Sequence, residues 1–159
     1  MPHLDGSAGW ANFQCLLSYN GAMSVIALDV GERHIGIAVS DPLGVLSTPF
    51  RTLERTNLNE DMQRLREIII ERGAHLLVVG FPRNMDGTAG PEAQRMELLI
   101  QSLRRLGLPV YKVDERLSSR EAEQRMVEAG LDVRERNLRR DEFSAAIILQ
   151  RYFEEGPIP

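Results

Sequence analysis

A chain of 159 residues, 43% apolar and 26% charged, fits one soluble domain with a single sizeable core. Its net charge of −4 excludes a broadly basic nucleic-acid coat, and one cysteine, Cys15, excludes an internal disulfide framework. No apolar stretch approaches the ~20 residues that cross a bilayer, so a cytoplasmic protein without a membrane partner is the expectation.

Residues 1–22 carry no Lys or Arg, hold Gly6, Gly9 and Gly21, and show neither a strand nor a helix period. They read as a poorly ordered extension ahead of one domain over residues 23–159. From Met23 the order is legible. Val25–Val30 and Ile35–Ser40 are apolar runs joined by Gly31-Glu32-Arg33-His34, the pattern of an antiparallel hairpin. A third extended segment spans roughly Leu46–Leu53. Leu58, Met62, Leu65, Ile68 and Ile69 then fall at helical spacing, and Gly73 is a stop. Leu76–Gly80 has the continuous apolar character of a strand buried on both faces.

After the polar loop Phe81–Gly90, Pro91 suits the first turn of a helix over Glu92–Leu106. Leu108–Val113 is a fifth strand, and Ser118 caps a helix that ends near Gly130. Leu131–Arg140 reads as a charged connector, and Asp141 opens the last helix, Asp141–Phe153. The order β-β-β-α-β-α-β-α-α predicts an α/β fold, a five-stranded mixed sheet with helices on both faces. In such a sheet the first and fourth strands can lie side by side.

Three acidic positions far apart in the chain would then meet. Asp29 interrupts an apolar strand, Asp114-Glu115 closes another, and Asp141 stands at the last helix. A carboxylate in an apolar strand is costly to bury unless it is paired or binds a cation. Hard cations such as Mg²⁺ or Mn²⁺ take oxygen ligands and drive phosphodiester hydrolysis, so the acids point to a metal-dependent nuclease. Asp114 and Glu115 are adjacent in a strand and should face opposite ways, which leaves the choice between them open. Asp141 competes with Glu142, and it could equally be a helix N-cap.

Four blocks carry a resemblance. Asp29-Val30-Gly31 with Ile35–Asp41, Gly80–Thr88, Asp114–Ser119 and Asp141–Gln150, in that order, resemble the motifs of the YqgF/RuvX family, from Met23 to about Phe153. The resemblance implies a ribonuclease H-like fold and nuclease activity on structured nucleic acid, in maturation of the 5′ end of pre-16S rRNA or in cleavage of Holliday junctions and other branched DNA. It also implies that Asp29, Glu115 and Asp141 are the catalytic, metal-ligating acids, Asp29 bridging two ions. Asp114 is then left as an arginine partner or a helix cap.

Eighteen of the nineteen cations are Arg, Lys112 being the exception, and Arg suits bidentate phosphate contacts. Arg134, Arg136, Arg139 and Arg140 abut Asp141 and form one candidate rim, partly offset by Asp132 and Glu135. Arg33, Arg116 and the loop residues Arg83, Asn84 and Thr88 are further nucleic-acid candidates. His34 and His75 have no metal or triad spacing and read as turn or strand-edge residues. Two other classes of function remain. The Asp-Gly-Gly hairpin resembles the phosphate loop of actin and sugar-kinase ATPases, but those need a duplicated domain that this length excludes. A non-catalytic nucleic-acid-binding factor in ribosome assembly or transcription is the other. Symmetric cleavage of a four-way junction would favour a homodimer.

Overall fold

A computed structural model describes residues 24–41, 46–82, 90–116 and 118–158, and the expected extension at residues 1–22 and the loop residues Arg83, Asn84 and Thr88 lie outside them. The strands are β1 (Ser24–Val30), β2 (His34–Ser40), β3 (Ser47–Glu54), β4 (Ala74–Phe81) and β5 (Val110–Asp114). The helices are α1 (Leu58–Arg72), α2 (Pro91–Arg104), α3 (Ser118–Glu128) and α4 (Val133–Glu155). Among the described residues no helix is long and apolar enough to cross a membrane.

The sheet order is β3-β2-β1-β4-β5. β1, β2 and β3 pair antiparallel, while β4 runs parallel to β1 and β5 parallel to β4. The expected neighbourhood of the first and fourth strands is therefore real. It sets the carboxyl ends of β1, β4 and β5 along one rim of the sheet. In open α/β sheets that rim is where ligands bind.

Each face of the sheet has its own core. On one side Ile26, Leu28, Ile37 and Val79 meet Leu65, Ile68 and Ile69 of α1 and Ile100 and Leu103 of α2. On the other, Val25, Ala27, Ala38 and Val78 meet Ala145, Ala146, Ile148 and Leu149 of α4. The outer side of α4 is covered in turn by α3, through Ala122 and Met126 against Phe143 and Ile147. Being sandwiched explains why every residue of α4 from Glu142 to Leu149 is buried.

One expectation about the chain path is overturned. Residues 133–140 are the first two turns of α4, not a charged connector. Asp132 is the N-cap, receiving the Glu135 amide at 2.8 Å while the Glu135 carboxylate receives the Asp132 amide at 2.9 Å. This reciprocal capping box starts the helix where no apolar stripe marks it. Asp141 consequently lies inside the helix and is neither its first residue nor its cap.

At the far edge, the chain end returns along β5. The Ile158 amide donates to the Lys112 carbonyl at 2.8 Å, and the Ile158 side chain joins the core.

Candidate active site

Asp29 is the penultimate residue of β1, and Gly36 stands opposite it on β2. Helix α4 crosses β2 there. A Cβ on Gly36 would lie 2.0 Å from the Asp141 carbonyl oxygen, a distance no side chain tolerates. Glycine thus lets the helix backbone touch the strand and brings Asp141 to the end of β1. Gly80 on β4 serves Glu115 in the same way. A Cβ there would fall 2.7 Å from Glu115 Oε2 and 2.5 Å from Ile148 Cδ1. Two glycines therefore make the room that two of the three acids occupy.

The three expected acids are brought together. Burial first, and the nearby Asp141 charge second, push the Asp29 carboxyl up to about 7. Burial again, then the charges of Asp29, Glu92 and Asp114, push Glu115 up to about 7. Asp141 lies against Gly36 of β2, Asp29 is on β1 and Glu115 lies against Gly80 of β4, so the strand order β2-β1-β4 sets the acids in a row with Asp29 in the middle. Among the described residues, no three His, Cys, Asp or Glu side chains enclose a single point suited to one ion.

The two alternative acids, Asp114 and Glu142, each have partners of their own. Asp114 faces away from the row and pairs with Arg116, Oδ2 to Nη2 at 2.6 Å, while its Oδ1 accepts the Arg116 amide. Burial works against its ionised form, but these bonds outweigh it and hold the Asp114 carboxyl below the ordinary range. Glu142 accepts from Arg139 Nε at 2.6 Å and lies within 3.5 Å of Thr52 Oγ1, so it is engaged elsewhere.

His34 does more than sequence spacing suggests. It opens β2, and its Nδ1 lies 3.7 Å from Asp141 Oδ2. Asp61 was likewise unmarked by any motif. It sits in the first turn of α1 with 2% of its side chain exposed. It accepts from Arg64 Nη2 at 2.7 Å, the Thr56 amide at 3.1 Å and Arg55 Nε at 3.4 Å. Burial opposes its charge, yet these donors more than offset it and lower its pKa. Arg55 also donates from Nη1 to the Gly31 carbonyl at 2.9 Å, and its amide bonds the Arg33 carbonyl. The turn after Asp29 is thereby tied to a buried anion.

Beside the row opens a cleft of about 560 Å³. Its lining includes Asp29 and Glu115 and the β1–β2 turn with Arg55. Glu92, Arg95, Met96 and Leu99 of α2 line it too.

The family model for RuvX, described as a Holliday junction resolvase, matches residues 23–155. The chain belongs to the RuvX family. A protein of Acaryochloris marina named "Putative pre-16S rRNA nuclease" is 39% identical over 136 residues, covering 85% of this chain and 94% of that one. One of the same name from Moorella thermoacetica is 41% identical over 133 residues, 83% and 95% of the two chains. Among solved structures, Thermus thermophilus RuvC in complex with a Holliday junction substrate superposes with a TM-score of 0.53 at 16% identity. That match covers 86% of this chain and 99% of RuvC, and it shows a shared ribonuclease H-like fold.

In this RuvX chain the expected arginines divide into engaged and open. Arg136 Nε pairs with Glu123 at 3.0 Å, Arg140 Nη2 reaches the same carboxylate at 3.3 Å, and Arg139 holds Glu142. Arg139 also lies over the Phe143 ring, 5.0 Å from its centroid. Arg116 is bound to Asp114. Arg33, in the turn after Asp29, and Arg134, in the first turn of α4, are exposed. The exposed Arg140–Glu123 pair contributes little, about 0–1 kcal/mol, and can exchange for phosphate, whereas Arg139 is tied to the buried Glu142.

Proposed function

We propose that this chain hydrolyses phosphodiester bonds in structured RNA, in maturation of the 5′ end of pre-16S rRNA, at the row Glu115–Asp29–Asp141. The carrying observation is that Asp29 and Glu115, both raised to about 7, draw no cation from among the described residues. A divalent cation would supply the missing counter-charge. The donor set is carboxylate oxygen throughout, which suits Mg²⁺ or Mn²⁺. When bound, such ions polarise the phosphoryl group and lower the pKa of the attacking water. In the hydrolysis water adds to phosphorus as one P–O bond breaks, leaving a phosphomonoester and a hydroxyl.

The chain's own residues prepare this step. Asp29 would hold the central position, with Glu115 and Asp141 completing either side. Gly36 and Gly80 permit the close approach of Asp141 and Glu115. The Asp61–Arg55 clamp fixes the turn after Asp29, so the central carboxylate is positioned before substrate arrives. His34, beside Asp141, orients that carboxylate from the β2 side.

The description of the family as Holliday junction resolvases favours branched DNA as a second substrate. One preparation should be assayed on single-stranded RNA, duplex RNA and a four-way DNA junction, each with EDTA, Mg²⁺ and Mn²⁺. Metal-dependent cleavage of RNA above junction supports the first reading, and the reverse order supports the second. Binding without cleavage under every condition would leave a non-catalytic assembly factor. Sizing of the complex reports whether a homodimer forms. The cytoplasm, where pre-rRNA is processed, is the place this reading assigns to it.

A further inference from the structure

The four α2 residues that line the cleft are Glu92, Arg95, Met96 and Leu99. They follow the spacing i, i+3, i+4, i+7, which places them on one stripe of the helix. The stripe begins at the acids, since the Glu92 charge acts on Glu115, and it runs away from them. With about 1.5 Å rise per residue, Arg95 lies roughly one turn beyond Glu92. The cleft lining holds four carboxylates, Asp29, Glu32, Glu92 and Glu115, against two guanidinium groups. Arg55 is already committed to Asp61 and the Gly31 carbonyl. Arg95 is therefore the one cation lining the cleft that has no partner among the described residues. Met96, largely buried, and the half-buried Leu99 and Val30 give the same cleft its apolar lining.

We propose that this stripe of α2 is a nucleotide subsite beside the scissile position. Arg95 takes the phosphate adjacent to the one cleaved, and the Val30–Met96–Leu99 surface takes the sugar and base that follow. A space of about 560 Å³ is on the scale of one nucleotide unit, and the strand proposed to enter here is unpaired. The inference rests on the nuclease reading and adds to it which side of the acids the chain enters and in what form.

The test uses the full chain carrying Asp141→Asn, so that binding in Mg²⁺ is read without turnover. The probes are a labelled single-stranded 12-mer RNA and the same RNA as a duplex. Adding Arg95→Gln should weaken single-strand binding about tenfold, the scale of one charge-assisted bond. It should also lower the salt slope by about 0.7, as expected for one single-strand phosphate. Arg95→Lys should recover the slope and less of the affinity. Duplex binding should be weaker and unaffected by Arg95→Gln. Arg104→Gln, at the far end of α2, should change nothing, and the far-UV spectrum should be the same in all variants. Unchanged affinity and slope in Arg95→Gln, with the native chain cutting RNA, overturns the subsite alone. Equal sensitivity of single strand and duplex overturns the unpaired entry. Failure of the native chain to cut any probe with either metal removes the nuclease reading, and the subsite with it.

Discussion

Asp61 and Asp29 are both withdrawn from solvent near the same turn, and their surroundings are opposite. Asp61 is supplied with two guanidinium groups and a backbone amide from its own chain, and its pKa falls. For Asp29, burial first and the nearby Asp141 charge second raise the pKa to about 7. The first arrangement is complete as folded. The second has no counter-charge among the described residues, and under the proposed reading a divalent cation would supply it. A buried acid with its counter-charge built in is structural, and one whose counter-charge is missing marks where a ligand must act. Asp114 and Glu115 repeat the lesson at adjacent positions, one held down by Arg116 and the other pushed up beside Asp29.

The comparison breaks most sharply on the acids themselves. Asp29→Asn and Asp141→Asn should each cut cleavage on the order of 10³-fold, several kcal/mol of lost charge stabilisation, with the fold retained. Glu115→Gln should cost nearly as much, whereas Asp114→Asn should cost under about tenfold, since it loses only a part-exposed pair worth about 0–1 kcal/mol. Steady-state cleavage with melting curves checks all four. Damage from Asp114→Asn exceeding that from Glu115→Gln would assign the strand end to the wrong acid.

Asp61→Asn should do the converse, destabilising by about 3 kcal/mol because two arginines lose their buried partner. Denaturant unfolding measures this. Turnover per folded molecule should also fall, through the loosened turn at Gly31, while KM stays near its native value. A native melting temperature in Asp61→Asn would deny the clamp.

The pH dependence of stability should have opposite signs in the two places. Asp29 and Glu115 have folded pKa values raised above their unfolded ones. Without metal, their stabilisation is complete below about pH 4 and lost as pH rises through about 7. Asp61 has a lowered folded pKa, so its contribution is present above the unfolded value near 3.8 and lost on acidification. Metal-free Asp29→Asn should therefore melt above the native chain at pH 8 and close to it only near pH 4. Saturating Mg²⁺ should close the gap at pH 8 by stabilising only the native chain. A gap independent of pH and of metal would refute the assignment.

The smallest effect belongs to the arginines of α4. Arg139→Gln with Arg140→Gln should weaken nucleic-acid binding by a few-fold and flatten the salt slope by about 0.7–0.9 for each phosphate no longer neutralised. Metal affinity should stay put. An unchanged slope would move the binding surface toward Arg33 and the Arg83–Thr88 loop.

Much of the framework was legible in the sequence because local rules decided it. The β1–β2 hairpin, the buried run of β4 and the span of α1 to its stop at Gly73 follow from apolar period and turn residues. Asp29, Glu115 and Asp141 stood out by motif and by the cost of acids beside apolar runs. The start of α4 was hidden because Val133 and Leu138 are exposed and no apolar stripe crosses residues 133–140. The Asp-x-x-Glu box at Asp132 and Glu135 was the signal that could have found it. His34 and Asp61 carried no such signal. The partner of His34 lies at the other end of the domain, and a lone acid on a helix resembles an ordinary solvated one. The tight approaches at Gly36 and Gly80 appear only once α4 and the strand ends are packed.

The returning tail at Ile158 has a bearing on self-association. A strand edge with unpaired amides and carbonyls is a template for another chain, and proteins commonly cover such edges. Here the covering piece is the protein's own last segment, seated on β5 at Lys112 and anchored in the core by one isoleucine. A second chain pairing along β5 at Lys112 would have to displace that segment.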